Sequence, residues 1–113
     1  MNVMQRQPRQ HNEAHLNFIR GLPCIVCANN IETQAAHIRM ADPRILKRQS
    51  GMQEKPDDIF TLPLCGEHHA MQHRMSEQKF WMWVGVDPIL VALALWYSRG
   101  DQEKCEQILQ ARS

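Results

Sequence analysis

The chain has 113 residues, which is enough for one small domain. Its 13 Lys and Arg residues against 12 Asp and Glu residues leave a net charge of +1, so bulk charge points to no particular partner, and any contact with nucleic acid would have to be local. Four cysteines without a secretory leader, and the lack of an apolar run of membrane-spanning length, predict a cytoplasmic protein with no membrane anchor, in which clustered cysteines bind metal.

The N-terminal part of the chain predicts a tail and one helix. Residues 1–11 are rich in Gln, Arg and Asn and are expected to form a flexible tail. Leu16 and Ile19 share one face of a short helix, which stop signals at Gly21 and Pro23 terminate. The segment CIVCANN then has the form of a metal-binding knuckle, followed by two asparagines that can take left-handed turn conformations.

Two short strands and a series of helices follow. The segments ETQAAHIRM and DIFTLPL predict the strands, and the polar, basic stretch from Asp42 to Pro56 predicts the loop between them. A helix is expected from Cys65 or Gly66 to about Met75, and three further helices complete the chain. The order of elements predicts an α+β fold with a very small sheet.

A first group of candidate ligands consists of three cysteines and one histidine. Cys24 and Cys27 are separated by two residues, and so are Cys65 and His68. This spacer lets both side chains of a pair point at one tetrahedral ion. Three thiolates and one imidazole would form a closed, structural zinc site that contributes folding free energy directly. The alternative is a set of buried cysteines beside a surface histidine.

A second group consists of imidazoles. His69 and His73 are four residues apart and share one face of a helix, whereas His68 points roughly 100° away from His69. One helix can therefore serve zinc on one side and a second ion on the other. The pair could equally be exposed surface residues, and His37, flanked by alanines, could be a half-buried histidine with a structural role. Together, the three imidazoles predict an open metal site with a nearby base.

The chemistry that this second group predicts is metal-assisted hydrolysis of a phosphodiester. Mg²⁺ or another divalent ion, held by His69 and His73, would stabilise charge on the scissile phosphate, and His37 would take a proton from the attacking water. A local run of basic residues would contact phosphates beside the site, although such runs are usually solvated surface. Its members are Arg39, Arg44, Lys47 and Arg48.

The motifs together resemble a known enzyme family. Cys-x2-Cys, AHIR, and KPDDIFTLPLC running into HHAMQH resemble the HNH (ββα-metal) endonucleases. More narrowly, they resemble the phage and prophage branch, which includes YbcO-type nucleases and the recombination-enhancement nuclease Ref. The resemblance implies a single domain at 12–113, with a zinc-stabilised ββα-metal core at 24–75 between an N-terminal helix and C-terminal helices at 76–112.

The resemblance also implies roles for individual residues. His37 would be the general base, His69 and His73 would bind the catalytic ion, and the three cysteines with His68 would hold structural zinc. Asp58 could support the site, by standing in for the metal ligand that often precedes the base or for the middle Asn of the motif. It could equally be a surface residue that coordinates nothing.

The expected function is that of a metal-dependent DNA endonuclease of phage or prophage origin, with weak or no sequence specificity. One alternative is a catalytically inactive zinc-stabilised module that binds DNA or a recombination protein. Another is a structural zinc adaptor without affinity for nucleic acid. The C-terminal helices are expected to cover the core, with a dimer interface as the alternative.

Overall fold

The computed structural model describes residues 11–45, 47 and 57–111. Within these ranges the fold is α+β, as the sequence predicts, with a two-stranded sheet and five α-helices. In chain order the elements are α1 (Glu13–Arg20), β1 (Gln34–His37), a 3-10 turn (Pro43–Ile45), β2 (Thr61–Leu64), α2 (Gly66–Arg74), α3 (Glu77–Val84), α4 (Pro88–Tyr97) and α5 (Gln102–Gln110). Residues 1–10 of the predicted tail, most of the predicted loop including Arg48, and residues 112–113 lie outside the described residues.

Polar side chains define where the helices begin. Ser76 accepts a hydrogen bond from the backbone N–H of Lys79 at the start of α3, and Asp87 accepts from two N–H groups at the start of α4. Asn12 caps α1 in the same manner. α3 ends at Gly85, whose φ of 86° lies in the left-handed region that glycine adopts without strain.

The two strands pair in antiparallel orientation within the core. Gln34 lies opposite Leu64, and His37 lies opposite Thr61. Every residue of β2 is buried, and so are Ala36 and Ile38 on the partner strand and just beyond it. α1 packs against both strands and α4 packs against β2, so the small sheet is covered by helices.

α2 follows β2 without an intervening loop, because Cys65 is both the residue after the strand and the N-cap of the helix. This direct connection fixes the start of α2 relative to the strand pair. The chain thus forms an antiparallel strand pair followed at once by a short helix.

The C-terminal helices share their core with the rest of the fold. Phe80 and Trp81 of α3, and Ile89 and Leu95 of α4, are buried in the same cluster as the side chains of α1 and the sheet. In the described part of the chain, no single helix is long and apolar enough to span a membrane. α3 and α4 together meet that length and composition, but the chain bends by 75° between them.

Candidate functional site

The three cysteines and His68 converge as the sequence predicts. All four ligand atoms lie within 4.8 Å of one another. The Sγ of Cys65 is 3.2 Å from Nδ1 of His68, and the Sγ of Cys27 is 3.9 Å from that of Cys65. Three sulfurs and one imidazole nitrogen at these distances could hold a tetrahedral ion such as zinc. Among the described residues, this is the one group of three or more metal-binding side chains that meets in this way.

The knuckle gets its shape from backbone hydrogen bonds. The N–H of Ala28 donates to the carbonyl of Cys24, and the N–H of Cys24 donates to the carbonyl of Asn29, both at 2.8 Å. Ala28 itself is left-handed, with φ of 62°, whereas the sequence predicted that conformation for the asparagines after it. The N–H of Ile25 donates to Pro63 of β2, which attaches the knuckle to the sheet.

Backbone hydrogen bonds in this region also change the pKa of one of the thiols. Desolvation opposes ionisation of Cys24, but backbone N–H groups from Cys65, Cys27 and Val26 lower its pKa overall. Desolvation and the neighbouring thiols raise the pKa of Cys27 to about 11. Because the thiolate is the form that binds metal, Cys24 reaches its metal-binding form more readily than Cys27 does.

The adjacent histidines of α2 point to different sides of the helix. Nδ1 of His68 faces the cysteines, while Nε2 of His69 lies 3.1 Å from Nε2 of His73, one turn further along. Desolvation, together with His73 and His37, lowers the pKa of His69. His69 is therefore neutral at neutral pH, which is the state in which imidazole binds a metal.

A glutamine completes the surroundings of His69. Nδ1 of His69 is hydrogen-bonded to Oε1 of Gln34, the first residue of β1. Reasoning from the sequence did not single out Gln34. No local pattern in the sequence indicates it, because Gln34 reaches His69 only through the pairing of β1 with β2.

His37 is tied to a buried carboxylate. Its Nε2 lies 2.8 Å from Oδ1 of Asp58, whose side chain is fully buried. The other oxygen of Asp58 accepts from the N–H of Asn12 at 2.8 Å and lies 2.9 Å from Nδ1 of His11. Asp58 is therefore not a surface residue, which was one of the alternatives.

The turn before β2 explains the position of Asp58. The hydroxyl of Thr61 donates to the carbonyl of Asp58 at 2.9 Å, and the N–H of Phe60 donates to the carbonyl of Asp57 at 3.1 Å. Since Thr61 pairs with His37 across the sheet, this turn holds the carboxylate beside the end of β1.

Comparison with known proteins identifies the family. A family model with the description "Protein of unknown function (DUF968)" matches residues 3–95. The chain belongs to the DUF968 family. No curated protein and no solved structure matches it. The DUF968 match includes the three cysteines, the histidines and Asp58, and it ends within α4.

The predicted phosphate-binding residues of this DUF968 protein have different surroundings. The guanidinium of Arg44 contacts Oδ2 of Asp42 at 2.5 Å and Oδ2 of Asp87 at 2.9 Å. Nζ of Lys47 donates to the carbonyl of Met40 at 2.6 Å. Arg44 and Lys47 thus brace the chain after β1, and a phosphate would have to compete with these contacts. Arg39 is exposed, and Arg48 lies outside the described residues.

Proposed function

We propose that the chain is a metal-dependent DNA endonuclease of the HNH (ββα-metal) type, encoded by a phage or prophage and weakly specific for sequence. One observation carries the proposal. A short helix that follows an antiparallel strand pair has a Cys3His group on one side and two imidazoles on the other, while the strand end carries a histidine bound to a buried carboxylate. The imidazole pair and the histidine at the strand end would take part in hydrolysis of a phosphodiester, and the Cys3His group would hold the helix that carries the pair.

His37 is the proposed general base. A buried carboxylate only accepts hydrogen bonds when ionised, so the contact of Asp58 with Nε2 assigns the ring proton to that atom. The lone pair of neutral His37 is then on Nδ1. With 27% of its side chain exposed, His37 can reach a water molecule and take its proton at Nδ1. Asp58 holds the ring in place and stabilises the positive charge that develops on it.

His69 and His73 are the proposed ligands of the divalent ion. Two ligand atoms at about 2.1 Å from one ion, in neighbouring positions, are about 3 Å apart, and the Nε2 atoms are separated by 3.1 Å. The residues therefore fit a shared ion. When bound, the ion would supply charge stabilisation at the scissile phosphate and the leaving oxygen. Imidazole ligands suit transition-metal ions such as Ni²⁺ and Zn²⁺, whereas Mg²⁺ and Mn²⁺ are more often bound by carboxylates and water.

The Cys3His group is the proposed structural zinc site. It joins the knuckle at Cys24 to the N-terminus of α2 at Cys65 and His68, and hence sets the direction in which His69 points. Its four protein ligands leave no position open for substrate, which is the usual difference between a structural and a catalytic zinc site.

Nicking of supercoiled plasmid tests the proposal. Zinc-loaded protein should nick in the presence of Mn²⁺ or Mg²⁺, and His37→Ala should lower the rate by at least about 100-fold, which is the low end for a general base. Lys79→Ala, an exposed substitution on α3, is the control and should nick like the wild type. Equal nicking by wild type and His37→Ala would reject His37 as the base.

A binding module is the second candidate, because the proposed catalytic ion would have two protein ligands, not three, among the described residues. Such a module would retain zinc and bind DNA or a recombination protein without cleaving DNA. DNA binding by zinc-loaded wild type in the absence of nicking with any of Mg²⁺, Mn²⁺, Co²⁺ or Ni²⁺ would favour it over the nuclease.

A further inference from the structure

We infer that Gln34 is a positioning residue that holds His69 in the tautomer that can bind a divalent ion through Nε2. The inference rests on the proposed function for the identity of the second site, because it concerns the ion that His69 and His73 would share. Gln34 touches neither the ion nor the substrate in this scheme. It acts through the ring of His69.

The chemistry of the contact sets the tautomer. Oε1 of Gln34 is a carbonyl oxygen and only accepts hydrogen bonds, so Nδ1 of His69 must carry the proton. The lone pair of the neutral ring then lies on Nε2. That atom is 3.1 Å from Nε2 of His73 and faces the place where both imidazoles converge. In the other tautomer, the proton on Nε2 would have to leave before an ion could bind.

The fold explains why Gln34 can reach α2. Gln34 pairs with Leu64, the last residue of β2, and α2 begins two residues later at Gly66. The first turn of the helix is therefore beside the start of β1. Glu32, two residues before Gln34, has a carboxylate oxygen 3.3 Å from a Cβ built on Gly66, so the chain before β1 stays close to this turn.

The two imidazoles are not held equally. His69 has Gln34 as a partner at Nδ1, whereas His73 is exposed and its hydrogen bond within the described residues is to His69. Ligating histidines usually donate their other ring N–H to a fixed acceptor, and loss of that acceptor lowers metal affinity by about 10–100-fold. Gln34 supplies this acceptor for His69.

Gln34 has little to do with the core. Gln34 is exposed, and its backbone pairing with β2 does not depend on its side chain. Removal of the side-chain amide should therefore leave the fold and the Cys3His group intact. This separates a positioning role from a structural one.

The test combines NMR with metal binding, using full-length, tag-free, zinc-loaded protein. Long-range ¹H–¹⁵N spectra report which ring nitrogen of His69 carries the proton, without any second ion. Ni²⁺ titration by calorimetry reports the affinity of the His69/His73 pair. The variants are Gln34→Leu, which lacks the acceptor, Gln34→Glu, which keeps it, and Gln107→Leu, a control at an exposed glutamine of α5.

In the wild type, in Gln34→Glu and in Gln107→Leu, the main tautomer of His69 should carry its proton on Nδ1. In Gln34→Leu, this tautomer should no longer be the main one. The Ni²⁺ affinity of Gln34→Leu should fall by about 10–100-fold, with zinc content unchanged in all four proteins. An unchanged tautomer or an unchanged Ni²⁺ affinity in Gln34→Leu would overturn the inference. Neither measurement involves DNA, so a wild type that fails to cleave plasmid would refute the nuclease and leave the result for Gln34 standing.

Discussion

Asp58 is the residue with the largest concentration of polar contacts at the candidate base. Its side chain is fully buried, and both oxygens are used, by His37 on one side and by His11 and the N–H of Asn12 on the other. Burial of a carboxylate without hydrogen-bond partners would lower the stability of the fold. Buried donors that lose their acceptor carboxylate lower it as well. Asp58 therefore links the N-terminal entry into α1 to the end of β1.

Asp58→Ala should lower the free energy of unfolding by about 1–3 kcal/mol, because it leaves the N–H of Asn12 and Nε2 of His37 without their acceptor. Urea denaturation of zinc-loaded protein measures this loss. Gln78→Ala, at an exposed position on α3, serves as the control and should have an effect below about 0.5 kcal/mol. Equal midpoints for Asp58→Ala and the wild type would mean that the network does not stabilise the fold.

His15 should make stability depend on pH. Its side chain is 2% exposed, neither ring nitrogen has a hydrogen-bond partner within the described residues, and its ring packs edge-on against Trp96. Burial, and then the positive charge of Arg99, lower the pKa of His15, against a smaller opposing effect of Asp58. The unfolded chain thus binds a proton at a higher pH than the folded protein does.

Because the unfolded chain binds this proton first, the fold loses stability as the pH falls. The contribution of His15 is fully present above its unfolded pKa of about 6.5 and is lost as pH falls from there toward the lowered folded pKa. Urea midpoints should therefore drop more between pH 7.5 and 5.5 in the wild type than in His15→Phe. Because other groups titrate in both proteins, the difference between them isolates His15, and identical pH dependence would contradict its buried neutral state.

At the scale of elements, the Cys3His group joins the knuckle to the start of α2. The knuckle contributes two ligands and the start of α2 contributes two, and the segment between them contains β1 and β2. α2 has only Gln72 fully buried, so packing alone holds this helix weakly. Zinc would replace the missing apolar contacts of α2.

Cys65→Ala should therefore abolish stoichiometric zinc binding and expose α2 to hydrogen exchange. Cys105→Ala is a matched control, because Cys105 is a buried cysteine whose thiol faces the carbonyls of Leu95 and Ser98, away from the cluster. Metal analysis should find one zinc per chain in Cys105→Ala and in the wild type. A full zinc complement in Cys65→Ala would exclude Cys65 as a ligand.

Glu77, in the first turn of α3, joins that helix to the chain after β1. Its carboxylate accepts from the backbone N–H groups of Arg39, at 3.1 Å, and Met40, at 2.7 Å. Glu77→Ala should cost about 1–2 kcal/mol in urea denaturation, since both N–H groups lose their acceptor. Glu103→Ala, in the first turn of α5, removes only the interaction of an acid with a helix N-terminus and should cost at most about 1 kcal/mol. Equal costs would leave Glu77 with no role beyond the helix dipole.

At the scale of the whole molecule, local rules of sequence explain the elements, and long-range contacts explain the site. Ser76 and Asp87 are residue types that favour helix starts, and they cap α3 and α4. The spacing of Cys24, Cys27, Cys65 and His68 predicts their convergence, because it follows from ligand chemistry. The resemblance offers Asp58 as a possible support of the site, but neither its contact with His37 nor the contact of Gln34 with His69 could be predicted from spacing. Asp58 and Gln34 reach them only through the register of β1 on β2, which no local pattern encodes.

The charge of the molecule leads to a prediction for DNA binding. With a net charge of +1, any affinity for DNA would depend on a few cations near the site rather than on the whole surface. Arg44 is engaged by two carboxylates, and the hydrogen bond with Asp42, followed by that with Asp87, raises the pKa of Arg44. Its charge is largely balanced before any phosphate approaches.

The salt dependence of DNA binding tests whether the two carboxylates keep the guanidinium of Arg44 from a phosphate. In the His37→Ala background, Arg39→Ala should reduce the slope of log K against log salt by about 1 if Arg39 makes the phosphate contact that the sequence predicts. Arg44→Ala should leave the slope unchanged and lower the urea midpoint, because it breaks the link between Asp42 and Asp87 at the start of α4. Fluorescence anisotropy with a short duplex, between about 50 and 200 mM salt, measures the slopes. Urea denaturation measures the midpoint. A decrease of about 1 for Arg44→Ala would mean that its guanidinium leaves the carboxylates to bind a phosphate.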